Sequence, residues 1–192
     1  MSETNNGMNL IIRVQSTPNP NAWKFVMNKP VLNEGKMTYS SIEEAKPSIL
    51  ASALFQIEGV RQVHFFQNVI TVTHTFDAEI DRLQEEVKAV ITTRLPMHDP
   101  RVTIVDEKKI LRQGLSPDLQ QIEEILDETV RPGLQGDGGD IEIIKFEENR
   151  LYVMYQGACG TCPSSSTGTL LAIEGILRER FNPQIEVIPM ME

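Results

Sequence analysis

Residues 96–116 interrupt the regular hydrophobic pattern of the chain, and this interruption limits what the chain can fold into. The stretch contains Pro96, Pro100 and the charged run DEKK, a composition that is typical of a connector. A chain of 192 residues has the length of one large domain or of two small ones. The interruption favours two, and we predict one domain at residues 8–95 and another at residues 117–192.

The hydrophobic pattern of residues 8–95 predicts a ββαββα domain. Short β-branched and aromatic runs bounded by proline or glycine indicate strands, and apolar residues spaced three and four apart indicate helices. The tight connection at Gln67 and Asn68 indicates a hairpin. The predicted elements are strands at 10–14 and 22–27, a helix at 47–57, strands at 60–66 and 69–76, and a helix at 80–95.

Residues 117–192 carry the pattern of an αββαβ domain. Ser116 and Pro117 suit the N-cap and the first position of a helix that ends near Arg131. Residues 136–140, GDGGD, indicate a tight turn. The predicted elements are a helix at 117–130, strands at 141–146 and 151–155, a helix at 170–181 and a strand at 185–188. Together the two domains place the chain in the α+β class.

Composition and charge exclude several classes of function. Residues 117–192 contain 5 Lys and Arg against 14 Asp and Glu, which accounts for the whole net charge of −9. A nucleic-acid partner requires a basic surface that neutralises phosphates, so we expect none. The chain has no apolar run long enough to cross a bilayer and no secretory or transit signal at its start. We therefore expect no membrane partner and a cytoplasmic location.

The chain has two cysteines, Cys159 and Cys162, and they form a CxxC pair. Two cysteines are too few for a disulfide scaffold, and a CxxC pair in a reducing compartment indicates metal or redox chemistry. The pair lies between a predicted strand and a predicted helix, where the helix dipole and its unpaired N–H groups stabilise thiolate, the ligand form. Gly157 and Gly160 would let the backbone approach a bulky inorganic group.

A count of the available ligands predicts an assembly. Thiolates are soft ligands that select zinc, cuprous copper or an iron–sulfur cluster. Structural zinc and the common clusters take four protein ligands, whereas one chain supplies two thiolates. Residues 117–192 contain no histidine, because the chain's three are His64, His74 and His98. A complete thiolate site therefore requires a symmetric dimer in which each chain contributes one CxxC pair.

Two other interpretations of the cysteine pair stay open at this point. A CxxC pair at a helix N-terminus is also typical of a dithiol oxidoreductase, although no aromatic residue directly precedes Cys159 and the hairpin before it is not a βαβ unit. A zinc-stapled structural dimer would use the same four thiolates. We interpret the histidines as ordinary strand or loop residues, and Asp137 and Asp140 as parts of a tight turn rather than as metal ligands.

The segments around the cysteine pair have a distinctive sequence. They read VRPGLQGDGGDIEII from Val130 and LYVMYQGACGTCPSSSTGTLLAIEGILRERF from Leu151, and they resemble the C-terminal domain of the NifU-like (Nfu-type) iron–sulfur scaffold proteins. Residues 11–95, with IRVQSTPNPNAWKFV and ALFQIEGVRQVHFFQNVITVT, resemble the N-terminal domain of the same family. The two resemblances cover most of the chain and occur in the order that the family has.

This resemblance implies that Cys159 and Cys162 ligate an iron–sulfur cluster, typically a 4Fe–4S cluster that bridges two subunits, with a 2Fe–2S cluster as the alternative. It implies a scaffold or carrier that receives a cluster from an upstream cluster-assembly scaffold and passes it to apo-proteins. The implied partners are therefore a second copy of the chain, that upstream scaffold and the client proteins. Because such a carrier performs no covalent chemistry on a substrate, we do not predict an enzyme.

Overall fold

The computed structural model of the chain describes residues 9–101, 116–159 and 168–190. These residues form two domains, each with its own sheet and its own buried core. We call residues 9–101 the N-terminal domain and the other described residues the C-terminal domain. The predicted α+β class with two domains is confirmed, whereas residues 102–115 of the predicted connector lie outside the described residues.

The N-terminal domain is built on a five-stranded antiparallel sheet in the order β1-β2-β5-β4-β3. Its elements are β1 (Ile12–Ser16), β2 (Ala22–Met27), β3 (Lys36–Tyr39), α1 (Ile42–Ala45), α2 (Ile49–Leu54), β4 (Val60–Phe66), β5 (Val69–His74) and α3 (Ile80–Arg94). The prediction lacks β3 and α1, because each spans only four residues and so shows no full hydrophobic period.

The two faces of this sheet differ in polarity. One face carries a row of apolar residues paired across four strands: Phe25, Ile70, Phe65 and Met37. The next row is polar and points to the other face, because successive side chains of a strand alternate: Lys24, Thr71, His64 and Thr38. The apolar row lies in the core with α2 and α3. Thr71 and His64 are also buried, because the C-terminal domain covers the polar face.

The C-terminal domain is built on a three-stranded sheet in the order β6-β7-β8, in which β6 and β7 are antiparallel and β7 and β8 are parallel. Its elements are α4 (Pro117–Thr129), α5 (Arg131–Gly136), β6 (Gly139–Glu147), β7 (Arg150–Gly157), α6 (Leu170–Arg180) and β8 (Glu186–Pro189). The short helix α5 lies where the prediction has a helix end and a turn. Pro132 stands in the first turn of α5, where its missing N–H needs no partner.

The helix α4 begins where the sequence predicts it. Ser116 Oγ accepts a hydrogen bond from the backbone N of Leu119 at 3.4 Å, and Pro117 occupies the first helical position. Its buried face consists of three aliphatic residues, Ile122, Ile125 and Leu126. Each such side chain contributes about 2 kcal/mol to stability when it is fully buried. In the part of the chain that the structure describes, no helix is both long and apolar enough to span a membrane.

The two domains meet where the polar face of the N-terminal sheet lies on the glycine-rich turn before β6. A Cβ on Gly138 would lie 2.9 Å from Thr71 Oγ1 and 2.6 Å from Lys24 Cγ, and one on Gly157 would lie 3.2 Å from His64 Cγ. Both glycines have a positive φ, +82° for Gly138 and +61° for Gly157. Glycine is therefore required at both positions by the backbone conformation and by the neighbouring domain.

The beginning of the predicted connector packs against the N-terminal domain. His98 Nε2 lies 2.7 Å from the carbonyl oxygen of Val31, and the backbone N of Asn33 donates to the carbonyl oxygen of Pro100 at 2.9 Å. The ring of His98 also contacts the ring of Phe65 edge to face. These contacts tie residues 98–100 to the N-terminal sheet.

Candidate functional site around Cys159

Cys159 lies two residues after the end of β7, in the turn where the chain leaves the C-terminal sheet. Its side chain is 8% exposed and belongs to the core of the C-terminal domain. Cys162, Gly160 and Pro163 lie outside the described residues, and α6 begins at Leu170. The structure thus places one of the two predicted ligands at the end of a strand, and the ligand role of both cysteines stays a prediction.

Gly139 makes the room that the side chain of Cys159 occupies. Gly139 is paired with Gly157 across β6 and β7, so the residues before the motif lie beside the first residues of β6. A Cβ on Gly139 would lie 2.3 Å from Cys159 Sγ and 2.8 Å from its backbone N, closer than packed atoms approach. A Cβ on Gly157 would lie 2.6 Å from the carbonyl oxygen of Gly138. Gly157 therefore permits a close approach to this chain's own backbone, and its role beside an inorganic group stays a prediction.

Asp140, the second residue of β6, is fully buried and is the centre of a charge cluster beside the motif. Its carboxylate lies 3.0 Å from Lys36 Nζ and 3.6 Å from Arg131 Nε. Burial lowers the pKa of Lys36, and the charge of Asp140 opposes this shift. A buried carboxylate requires such partners. The predicted turn is present at Asp137 and Gly138, whereas Asp140 is an ion-pair residue of the strand.

Two side chains of the N-terminal domain reach the same region. Asn19, in the STPNPN turn between β1 and β2, donates from Nδ2 to the carbonyl oxygen of Ala158 at 2.8 Å. Lys36 Nζ, at the start of β3, donates to the carbonyl oxygen of Ile141 at 3.1 Å in addition to its ion pair. The surroundings of Cys159 are therefore built from both domains.

His64 lies on the polar face of the N-terminal sheet, beside Gly157, and is 2% exposed. Its Nδ1 is 2.8 Å from Thr38 Oγ1, and its Nε2 has no hydrogen-bond partner among the described residues. The pKa of His64 is lowered from 6.5 to about 4, mainly by burial; within this net shift the charge of Asp140 raises the pKa and that of Lys36 lowers it. His64 is thus a neutral imidazole at neutral pH and differs from the ordinary strand residue that the sequence predicts.

Because His64 is buried, we expect the protein to lose stability at acidic pH. Its pKa is depressed in the folded protein, so the unfolded chain takes up a proton at a pH where the folded chain does not. The free energy of unfolding should therefore fall as the pH drops below 6.5, by about 2 kcal/mol at pH 5. Urea unfolding followed by the fluorescence of Trp23, the chain's single tryptophan, measures this loss in the N-terminal domain.

His64→Gln is the control for this measurement, because glutamine keeps a polar group beside Thr38 and does not titrate. The loss of stability between pH 7 and pH 5 should be smaller in His64→Gln than in the unaltered chain. Equal losses in the two proteins would show that His64 is not the group responsible.

Tyr155 is a neutral neighbour of Cys159 on β7. Burial, and to a lesser degree the charge of Cys159, raises the pKa of Tyr155 to about 12, so the phenol stays protonated. Among the residues that the structure describes, which do not include Cys162, no group of three or more His, Cys, Asp and Glu is arranged to hold a metal ion. The chemistry that Cys159 brings to this place is that of a thiolate ligand or nucleophile.

The parallel pairing of β8 corrects one argument made from the sequence. β7 and β8 are parallel neighbours, with Leu151 opposite Val187, and α6 lies between them in the chain. Cys159 therefore lies in the connection of a βαβ unit, even though β6 and β7 form the predicted hairpin. The prediction that the hairpin before the motif is not a βαβ unit is confirmed. Because the motif itself lies in the connection of a βαβ unit, this observation no longer argues against a dithiol oxidoreductase. The missing aromatic residue before Cys159 is the argument that remains.

Four residues near Cys159 have no role at this site in the sequence prediction, and they are Asn19, Lys36, His64 and Asp140. The sequence gives a weak indication for Asn19, because the STPNPN turn that contains it has a composition that would also suit a recognition loop. It gives none for the other three, since a lysine or histidine on a strand and an aspartate after glycines are usually solvent-exposed or turn residues. In the structure His64 and Asp140 are buried and Lys36 is half-buried, in the region where the two domains meet.

Family models match both domains. The model for the N-terminal domain of the scaffold protein Nfu/NifU matches residues 12–97, and the model for the NifU-like domain matches residues 122–188. The second match includes Cys159 and Cys162. The two matches occur in the order of the two domains in the structure.

Relatives match nearly the whole chain. The mitochondrial NifU-like protein 4 of Arabidopsis thaliana is 33% identical over 174 residues, which are 88% of this chain and 62% of that protein. The mitochondrial NFU1 iron–sulfur cluster scaffold homolog of Homo sapiens is 36% identical over 182 residues, 92% of this chain and 70% of that protein. The chain thus spans less than two thirds of the Arabidopsis relative. A solved structure of a NifU-like protein from Saccharomyces cerevisiae is 21% identical and covers 55% of this chain and 94% of its own, with a TM-score of 0.46.

The relatives contradict the predicted cytoplasmic location. The Arabidopsis, human and Drosophila relatives are mitochondrial proteins, and they point to mitochondria instead. The prediction failed because the residue types at the start of a sequence do not by themselves determine where a protein is located.

The comparisons and the fold lead to the same family. Both domains match family models of the Nfu and NifU type, and the human relative is more than 30% identical with more than two thirds of its length covered. The chain belongs to the NifU-like (Nfu-type) family of iron–sulfur cluster scaffold proteins.

Proposed function

We propose that the chain is a carrier whose dimer binds one 4Fe–4S cluster through Cys159 and Cys162 of each subunit. The observation that carries this proposal is the place of the CxxC pair within the family match. The single CxxC pair of the chain lies inside the NifU-like match, in a chain whose human relative is named an iron–sulfur cluster scaffold. Thiolate is the ligand that such a cluster takes.

The proposed dimer follows from the number of thiolates. The common clusters are held by four cysteine thiolates, and one chain has two cysteines. A two-fold symmetric dimer brings two equivalent CxxC pairs together and completes the set without any other residue type. The partner of the cluster-bound chain is therefore a second copy of itself, and a 2Fe–2S cluster would fit the same four ligands.

The division of ligands between subunits supports delivery rather than permanent storage. Cysteines of an apo-protein client would replace Cys159 and Cys162 one at a time, and dissociation of the dimer would complete the release. The cluster is then cargo that arrives from an upstream cluster-assembly scaffold and leaves with the client. No covalent bond of an organic substrate changes, so the proposed role is that of a carrier and not of an enzyme.

A division of labour between the domains is part of the proposal. The C-terminal domain, bounded at residues 117–192, would hold the cluster, and the N-terminal domain, bounded at residues 8–95, would recognise clients. Residues 96–116 would connect them. The packing of His98 and Pro100 against the N-terminal sheet supports a connector whose first residues belong with that domain.

Anaerobic reconstitution of the full chain with iron and sulfide tests the proposal. The expected product has broad visible absorption, about four irons per dimer and four thiolate ligands. Size-exclusion chromatography coupled to light scattering should show a dimer for the coloured fraction. A protein that stays colourless and takes up only zinc would contradict the carrier and favour the zinc-stapled dimer.

The position of Cys159 in a βαβ connection favours one competing function, that of a dithiol oxidoreductase. Such an enzyme would cycle Cys159 and Cys162 between a dithiol and a disulfide as electrons pass to a disulfide substrate. The reduction of insulin disulfides by dithiothreitol, with and without the chain, separates the two functions. A colourless chain that accelerates this reduction supports the oxidoreductase and excludes the carrier.

A further inference from the structure

Three polar side chains of the N-terminal domain bond to the C-terminal backbone next to the cysteine motif. Asn19, Lys36 and Lys24 donate to the carbonyl oxygens of Ala158, Ile141 and Gly136, respectively. The first bond is 2.8 Å long, and both of its partners are buried. Its acceptor belongs to the peptide that joins Ala158 to Cys159. The N-terminal domain therefore holds the peptide that carries the thiol.

The surface that makes these bonds is polar. It consists of the row with Lys24, Thr71 and His64, and the glycines of the C-terminal domain allow its backbone to lie directly on that row. Among the described residues, the apolar cores of the two domains are separate clusters, and neither contains a buried residue of the other domain. The domains are thus joined by hydrogen bonds and an ion pair rather than by a shared apolar core, which is typical of domains that move relative to each other.

Several atoms in this interface oppose the contact. Among the described residues, His64 Nε2, Thr71 Oγ1 and Thr73 Oγ1 are buried without a hydrogen-bond partner. Each of these atoms gains hydrogen bonds to water when the polar face is exposed. The bonds made by Asn19 and Lys36 therefore compete with the hydration of the polar face. An interface with such opposing contributions opens more readily than a fully satisfied one.

We propose that the N-terminal domain is a latch on Cys159. In the docked state that the structure describes, Asn19 fixes the peptide before Cys159, and Cys159 is buried. In the undocked state Asn19 no longer holds this peptide, so the turn can carry Cys159 out of its place beside Gly139 in the C-terminal core, and the thiol becomes accessible. The fraction of molecules in the undocked state then determines how accessible Cys159 is.

One consequence of the latch rests on the proposed function. A cluster shared by two subunits requires Cys159 of each chain to face its partner, and a buried thiol cannot do so. Undocking of the N-terminal domain therefore precedes cluster binding, and a bound cluster favours the undocked state by the same linkage. The N-terminal domain would close the site again once the cluster has left.

The rate at which iodoacetamide alkylates Cys159 tests the latch in cluster-free protein. All proteins carry Cys162→Ser, so that Cys159 is the only thiol. Asn19→Ala removes the hydrogen bond to Ala158, and Lys36→Met removes both the hydrogen bond to Ile141 and the ion pair with Asp140. Asn19→Ala should raise the rate about fivefold, the population change that one lost hydrogen bond produces, and Lys36→Met should raise it at least as much. Lys29→Met removes an exposed lysine of the same domain and should leave the rate unchanged.

Trp23 fluorescence and far-ultraviolet circular dichroism establish that each variant keeps both domains folded. An alkylation rate that is unchanged or slower in both folded variants overturns the latch. Small-angle X-ray scattering gives an independent measure, because undocking should increase the radius of gyration in Asn19→Ala and Lys36→Met but not in Lys29→Met. None of these measurements needs a cluster, so a failed reconstitution leaves the latch standing, and a failed latch leaves the carrier standing.

Discussion

A chain carrying Cys159→Ala is expected to bind no iron–sulfur cluster after anaerobic reconstitution, and Cys162→Ala should lose it equally. Each substitution leaves two thiolates in the proposed dimer, half of the set that the common clusters take. Because Cys159 lies in the core beside Gly139, alanine fits its place and should preserve the fold. Iron and sulfide analysis together with visible absorption measures the loss.

Thr161→Ala is the matched control, since it changes a residue between the two cysteines without removing a thiolate. It should bind as much iron as the unaltered chain. A cluster of normal absorption and iron content in either cysteine variant would show that the cargo is held elsewhere. Far-ultraviolet circular dichroism distinguishes loss of the ligand from loss of the fold.

Gly139→Ala is expected to impair cluster binding severely without changing a ligand. The new Cβ would overlap Cys159 at three atoms, with separations of 2.3 Å from Sγ, 2.8 Å from the backbone N and 2.9 Å from Cβ. Rotation of the Cys159 side chain moves only Sγ and leaves the contacts with the Cβ and backbone N of Cys159. The peptide of Cys159 or that of Gly139 must therefore shift. Overpacking of this kind costs about 1–3 kcal/mol of stability. Iron content and the thermal unfolding midpoint of the variant measure both effects.

Gly136→Ala is the control that separates a steric effect at Cys159 from a general effect of alanine in this segment. A Cβ on Gly136 meets no atom within 4 Å, and neither Gly136 nor Gly139 has a positive φ. Gly136→Ala should therefore match the unaltered chain in iron content and unfolding temperature. If Gly139→Ala also matched the unaltered chain in iron content and unfolding temperature, the tight packing between Gly139 and Cys159 would not matter for cluster binding.

The parts of the fold that could be predicted are those whose signal is local. The helices α3 and α4 have 15 and 13 residues with apolar stripes, long enough for the helical period to be read several times. The elements β3 and α5 have four and six residues and show no complete period. The parallel pairing of β8 with β7 could not be predicted either, because a strand's sequence does not identify its neighbour in the sheet.

The residues of the candidate site also divide into those with a local sequence signal and those without one. Cys159 was found because its chemistry and its spacing to Cys162 are contained in four residues. The bond from Asn19 to Ala158 joins residues 139 positions apart, and that from Lys36 to Ile141 joins residues 105 positions apart. Such pairs carry no periodicity and no motif. Asp140 was set aside as a turn residue because its burial is produced by Lys36 and Arg131, which approach only in the folded chain.

The polarity of the covered sheet face has a consequence for synthesis on the ribosome. The N-terminal domain leaves the ribosome first, and its core contains no residue of the C-terminal domain, so it can fold before the rest of the chain is made. Until the C-terminal domain is made, the sheet face that it will cover exposes Lys24, Thr71 and His64 to water instead of an apolar surface. A half-made chain therefore exposes little that would associate with other nascent chains.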